Sequence, residues 1–369
     1  MRTSRPARHR SRPPRAAAVL LVVATALAGC AGAEATSDGS GSNQSAAAPD
    51  AALPTAVPAG TRLVVGDPTT QKAVALAGDD IDSDVDFDLE WANVSGGPAT
   101  TEAFRANALD VGAVADIPPI HATWTGLDVK IVAASYRQDW EEHPIYEFGV
   151  RPGLEDVTTL EDFRGKKIAY SPGQAQGAIV LRALKKAGLT EDDVTLVELP
   201  STGDVYPTAL AAKEVDVAPI GGVQVARYVE QYGKDGGHTV EHGLRDDPSD
   251  LYAPTSVVDD PAKAAALREY VRVWAQAKLW VEDHPDEWRE GYYVKDQGLD
   301  EKDAQYLVDN AGTPDLPADW TEPIARHQET IDLLAKATGN EPLHAADIWD
   351  QRFAPVIAEA ADAYRKANP

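Results

Sequence analysis

The stretch 94–134, VSGGPATTEAFRANALDVGAVADIPPIHATWTGLDVKIVAA, decides the fold. Two short apolar runs, 111–114 and 129–134, each follow a segment of helical spacing, 99–108 and 118–125. Strand and helix in alternation predict an α/β protein with a parallel, doubly wound sheet. The same rhythm extends toward the N-terminus: RLVVG (62–66) reads as a strand, 71–77 as a helix, and FDLEW (87–91) as an alternating strand. Downstream, 145–150 is apolar and β-rich, and a second series follows it. That series places strands at 167–170, 194–199 and 215–220, with helices at 175–187, 205–212 and 223–232, and closes near 238–241. Gly188 suits the position just past a helix end. From 261 onward the texture is helical, at 261–283, 287–293, 301–310, 322–338 and 354–368. Two α/β series and a helical tail predict two lobes with a cleft between them, the chain crossing near 145–153 and 246–258.

The first sixty residues have a different texture. Residues 1–15 carry six Arg and no acid, and 16–29 (AAAVLLVVATALAG) carry no charge. A basic head before a short apolar run is the pattern of a secretory signal. The run ends in Leu27-Ala28-Gly29-Cys30, which resembles the bacterial lipobox and implies a diacylated Cys30. An ordinary signal peptide cut at small residues is the alternative. Residues 31–60 contain no Lys, Arg or aromatic residue, a composition suited to a tether. The expected organisation is a signal at 1–29, a tether at 30–60, lobe one from 61–150 plus 250–369, and lobe two from 151–249. Such a protein stands on the outer face of the cell membrane, held by its lipid.

Composition narrows the function. The chain has 369 residues, a formal charge of -25 and a single Cys. An acidic surface argues against nucleic acid as a partner. One Cys excludes an internal disulfide and a CxxC zinc site. There is no GxSxG, HExxH, P-loop or GxGxxG. His238 and His242 lie in a strand-like segment, about 13 Å apart at that spacing, too far to share a metal. Glu141-Glu142-His143 and Asp246-Asp247 read as solvated loops, and Trp274, Trp280 and Trp288 as core. No cofactor, no metal and no enzymatic activity are expected.

In open α/β sheets, ligands bind beyond the carboxyl ends of the strands. Ser95-Gly96-Gly97-Pro98, with Thr100, follows the second strand. Its glycines admit a close approach, and the helix start offers free N–H groups to an anion. Loop-and-cap chemistry is the plainer account of the same residues. Ser171, Gly173, Gln174, Ala175 and Gln176 form the same device in lobe two, where Gly177 also keeps the approach clear. Asp116 follows the third strand and suits a helix cap. Gly221 and Gly222 follow the last strand of lobe two. Arg137 can pair with an anionic head group or stand in solvent. The set describes a cleft that holds a small ligand by backbone amides and hydroxyls, and Gly97→Asp is expected to abolish binding without unfolding the chain.

The blocks 94–134 and 160–222 resemble solute-binding proteins for sulfonates and taurine, and HPDEW (284–288) resembles a helix start of that family. The resemblance implies a two-lobed, periplasmic-binding-protein-like fold of type II. Each lobe would be a sheet flanked by helices, with the helical C-terminal part packed on lobe one. It also implies that a monomer hands a small solute to an ABC permease and its ATPase. By the same resemblance, ligand contacts fall on Ser95, Gly96, Gly97, Pro98, Thr100 and Asp116, then on Ser171, Gly173, Gln174, Ala175, Gln176, Gly221 and Gly222. An anionic sulfonate or taurine-like ligand is the first expectation. A neutral or zwitterionic heterocycle of the pyrimidine type, nitrate or bicarbonate is the alternative, because VDVAPIGGVQ lacks the family's Trp and Asp and two Gln replace its small run.

Overall fold

In a computed structural model the structure describes residues 52–81 and 85–369. The basic head, the apolar run, Cys30 and most of the tether lie outside the described residues.

The first series runs β1 (Arg62–Gly66), α1 (Pro68–Ala77), β2 (Asp88–Trp91), α2 (Gly97–Arg105), β3 (Val111–Val114), α3 (Ile117–Trp124) and β4 (Val129–Arg137). The second runs β5 (Tyr146–Val150), β6 (Lys167–Tyr170), α4 (Ala175–Lys186), β7 (Thr195–Glu198), α5 (Val205–Ala211), β8 (Val217–Gly221), α6 (Val223–Tyr232) and β9 (His238–Val240). The chain then returns through β10 (Ser249–Pro254), α7 (Thr255–Val258), α8 (Pro261–Asp283), α9 (Pro285–Trp288), α10 (Glu301–Asp309), β11 (Pro314–Asp315), α11 (Thr321–Thr338) and α12 (Ala354–Ala367).

Two sheets result, ordered β11-β4-β10-β3-β1-β2 and β7-β6-β8-β5-β9. The alternation of strand and helix was legible; the all-parallel reading was not correct. β1 is parallel to β2 and β3, but β10 runs antiparallel between β3 and β4. β5 is likewise antiparallel to both β8 and β9. The reason is the double crossing: a strand entering or leaving a lobe meets the strands already laid down from the opposite direction.

This pairing also moves a boundary. Tyr146–Val150, placed by sequence in lobe one, belongs to the second sheet, with Phe148 opposite Pro219 and Val240. The first crossing therefore lies between Arg137 and Tyr146. The second lies between Val240 and Ser249.

The crossings are pinned by buried charge. Asp246 and Asp247, read from sequence as solvated, are 7% and 3% exposed. Asp246 accepts from the backbone N–H of Ile145 at 3.1 Å and Tyr146 at 2.7 Å, and lies 3.2 Å from His242 Nε2. Asp247 takes Arg245 at 2.9 Å and the Arg137 N–H at 2.6 Å. His238 and His242 do not share one strand face, because β9 stops at Val240. Each ring instead bonds a backbone carbonyl, that of Val157 at 2.7 Å and Tyr146 at 2.9 Å.

The helical tail builds on lobe one. α8 begins where Asp260 accepts from the N–H groups of Ala262 and Lys263, and Pro261 opens the first turn. Its buried face carries Trp274 and Trp280. α4 has two faces to cover: Ile179 and Val180 join the core of lobe two, while Ala178 and Leu181 join that of lobe one.

Candidate functional site

In both sheets, strand ends lead into helices whose first N–H groups have no side-chain cap, α1 after β1 being an exception. α2 starts after Gly96, α4 after Gln174 and α6 after Gly222, each without a capping side chain. α1, α8 and α10 are capped by Asp67, Asp260 and Asp300. Uncapped starts at strand carboxyl ends leave partial positive charge for an anion.

Where the lobes meet, the start of α2 and the loop before α4 line one cavity of about 380 Å³. Gly97, Pro98, Gly173 and Gln174 share it with Thr101, Arg105 and His121. A second cavity of about 400 Å³ holds Gln176, Gly221 and Gly222, with Tyr146 and Tyr206 on its wall. A third, of about 500 Å³, contains Arg137 and lies beside the crossings. Eight of the residues singled out by sequence line these three cavities, and Arg137 is not among the glycine loops.

Several assignments need correction. Thr100 is fully buried and its hydroxyl donates to the Gly96 carbonyl at 2.9 Å, so it supports the loop from behind. Its methyl occupies the space that Gly112 leaves by having no side chain. Asp116 makes no side-chain cap, and its backbone carbonyl accepts from His327 Nε2 at 2.9 Å. Gly97 faces protein rather than an open approach: a Cβ there would meet Pro118 Cγ at 2.5 Å. Gly97→Asp would thus disturb packing between α2 and α3, contrary to the expectation of a clean binding defect. Gly177 has no side chain because α4 crosses close over the Ser171 carbonyl. Ser171 is itself buried, and Ser95 and Ala175 line none of the three cavities described. Gly96 (φ +82°), Gly173 (φ +78°) and Gly222 (φ +55°) do hold backbone conformations that favour glycine.

Sequence reading missed His121, Tyr146, Tyr206 and Lys278. The His121 ring stands 3.4 Å from where a Gly173 Cβ would be, so a lobe-one helix touches a lobe-two loop. Its Nε2 is buried without a partner, and burial lowers its pKa. Burial raises the Tyr206 and Tyr146 phenols, with Asp246 and Asp116 adding to the latter. The periodicity of α3 carried the only signal for His121: it lies one turn past Pro118, which opens the helix.

Deeper in lobe one, Asp250 is 1% exposed and both its carboxylate oxygens lack hydrogen-bond partners. Burial first, then the charge of Asp116, raises its pKa well above the usual carboxylate range.

Two sheets flanked by helices and linked by two crossings define a periplasmic-binding-protein fold. Residues 84–287 match the family model described as NMT1/THI5 like, and the chain belongs to that family. The "Putative aliphatic sulfonates-binding protein" of Escherichia coli strain K12 is 30% identical over 106 residues, 29% of this chain. That match spans 32% of the relative's length, about a third. Among solved structures, the alkanesulfonate-binding protein SsuA of Xanthomonas axonopodis pv. citri, bound to MOPS, superposes with a TM-score of 0.63 at 20% identity, covering 80% of this chain and 99% of that one. The periplasmic aliphatic sulphonate binding protein SsuA of Escherichia coli gives 0.65, also at 20% identity and with the same coverage. The desulfurization enzyme DszB gives 0.53 at 15% identity, covering 81% of this chain and 99% of that one. The fold thus hosts both binding proteins and an enzyme.

Proposed function

We propose that this chain is the extracytoplasmic solute-binding component of an ABC importer. It captures a small anionic organic solute, a sulfonate or taurine-like molecule, between its lobes and delivers it to a permease driven by an ATPase. Lobe one is 61–137 with 249–369, lobe two is 146–240, and the protein works as a monomer. Cys30 carries the lipid that holds it to the outer face of the membrane, with 31–60 as tether. The observation that carries the reading is the cavity shared by the uncapped start of α2 and the Pro172–Gln174 loop before α4. An anion there meets N–H groups from both lobes, so its contacts exist together only when the lobes are close. The similarity to sulfonate-binding proteins supports the ligand class. No nucleophile–base pair is evident in the cavity, which favours binding over catalysis.

Gln174→Glu tests this. The new carboxylate sits at the N-terminus of α4, where a helix tolerates negative charge, so the fold is retained. Repulsion should weaken ethanesulfonate binding by tenfold or more, about 1.4 kcal/mol, in isothermal titration. Unchanged affinity would remove the anion from this cavity.

A second reading has its own observation. The cavity of Tyr146, Gln176 and Tyr206 contains no cationic side chain, which suits a neutral or zwitterionic heterocycle. Affinity for such a ligand would be nearly independent of salt, whereas affinity for an anion would fall as salt rises.

A further inference from the structure

The third cavity, of about 500 Å³, has a charge arrangement that the solute-binding reading does not use. Two cations line it, Arg137 at the end of β4 and Lys278 on α8. The Lys278 ammonium donates to the Ser249 hydroxyl at 3.0 Å and stands 5.2 Å from the centre of the Trp274 ring. The Arg137 guanidinium donates to the His143 carbonyl. Among the described residues, neither forms an ion pair with a carboxylate.

The acids of the same cavity have other partners as well. Asp247 holds Arg245 in an ion pair at 2.9 Å. Asp139 accepts the Thr313 N–H at 2.9 Å and stands 3.5 Å from His143 Nε2. Asp309 accepts from Gln305 at 2.7 Å. Burial, then Asp283, raises the Glu282 pKa from the usual carboxylate value. Holding two cations near one another away from water is costly, and burial is the largest influence lowering the Arg137 pKa, against the opposing charges of Asp246, Asp247 and Asp139. Burial, countered by Asp67 and Asp250 and reinforced by Arg137, lowers the Lys278 pKa, which is the same strain read from the ammonium. Aromatic surface from Trp288 and Tyr293 lines the cavity, so its occupant has an apolar body as well as an anionic head.

We propose that this cavity is a second binding site, separate from the interlobe cavity, for a small organic anion whose carboxylate or sulfonate head lies between Arg137 and Lys278. Its wall includes Ile145 and Asp247, one from each crossing, so an occupant rests against both connections between the lobes. Occupancy would therefore bear on lobe movement.

The test is titration of the full chain with benzenesulfonate, with the uncharged benzenesulfonamide as control. Wild type should give two sites for the anion and neither for the amide. Lys278→Met should weaken one site tenfold or more and leave the other unchanged, while Gln174→Glu does the converse. Without ligand, Lys278→Met should melt at a higher temperature than wild type, since it removes an unpaired desolvated charge; a merely structural ammonium would give the opposite shift. If Lys278→Met fails to fold, Arg137→Gln is read the same way. Loss only in Gln174→Glu overturns this site and leaves the interlobe reading standing. Loss of one site only in Lys278→Met upholds it and overturns the interlobe anion. A single site lost in both variants, or no binding of benzenesulfonate, overturns the proposal.

Discussion

Asp250 is the residue whose environment departs most from its chemistry. A carboxylate in water titrates near pH 4, but this one is buried on β10 opposite Val114 and Ala134, with both oxygens unpartnered. The charged and titratable groups acting on it are Asp116, Lys278, Arg326 and Asp247, with the Tyr136 hydroxyl nearby. Because its native pKa is raised, folding takes up a proton. Its favourable contribution is complete below about pH 4 and is lost as pH rises through the native value. Asp250→Asn keeps the shape and removes the titration. Calorimetry should find the variant melting higher than wild type at neutral pH, with the difference closing toward about pH 4. Equal melting at both pH values would place an ionised, compensated carboxylate there instead. Nothing in the sequence around Ser249-Asp250-Leu251 distinguishes this aspartate from a loop residue, because its isolation depends on helices α8 and α11, distant in the chain. The glycines behave similarly. Their places were legible, but whether Gly97 and Gly177 admit a ligand or another part of the protein depends on Pro118 and the Ser171 carbonyl.

At the scale of elements, the crossings show what periodicity can and cannot give. Strand and helix positions from 62 to 232 follow the apolar pattern closely, since most of these strands are followed by their own helix. β10 and β11 were missed. β10 is apolar but is flanked by acids, and β11 is two residues long. The assignment of β5 to lobe one failed because partner choice is a long-range property: its partners β8 and β9 come about 70 and 90 residues later. Asp246 ties that strand to the returning chain by two backbone hydrogen bonds. Asp246→Ala leaves the N–H groups of Ile145 and Tyr146 without their acceptor, while the His242 ring keeps the Tyr146 carbonyl. The expected cost is about 3 kcal/mol, with faster hydrogen exchange at those two amides. Exchange as slow as in wild type would mean that the crossing is held by other contacts.

For the whole molecule, the two-lobed α/β architecture and the helical tail were legible because both rest on repeated local pattern, whereas the packing of the tail on lobe one was implied by the family resemblance. The candidate site was legible only in part. The glycine and serine loops at strand ends announce themselves, as at 95–98, 171–176 and 221–222. The side chains that bring chemistry to the cavities, His121, Tyr146, Tyr206 and Lys278, do not, since each gains its place from packing between segments far apart in sequence. The acidic chain carries a net charge of -25, so an anionic solute must be drawn in by local groups against the overall field.

The central claim is that the lobes close on a small sulfonate. The most direct measurement is the thermal denaturation of the full chain with ethanesulfonate, taurine, benzenesulfonate, sulfate, nitrate, bicarbonate and a neutral pyrimidine, each added in turn. A ligand at about a hundred times its dissociation constant adds about 2.7 kcal/mol, enough to move the melting temperature visibly. The account predicts that at least one sulfonate raises it and that Gln174→Glu removes the shift. A shift with the pyrimidine alone, or with none of these solutes, would contradict it.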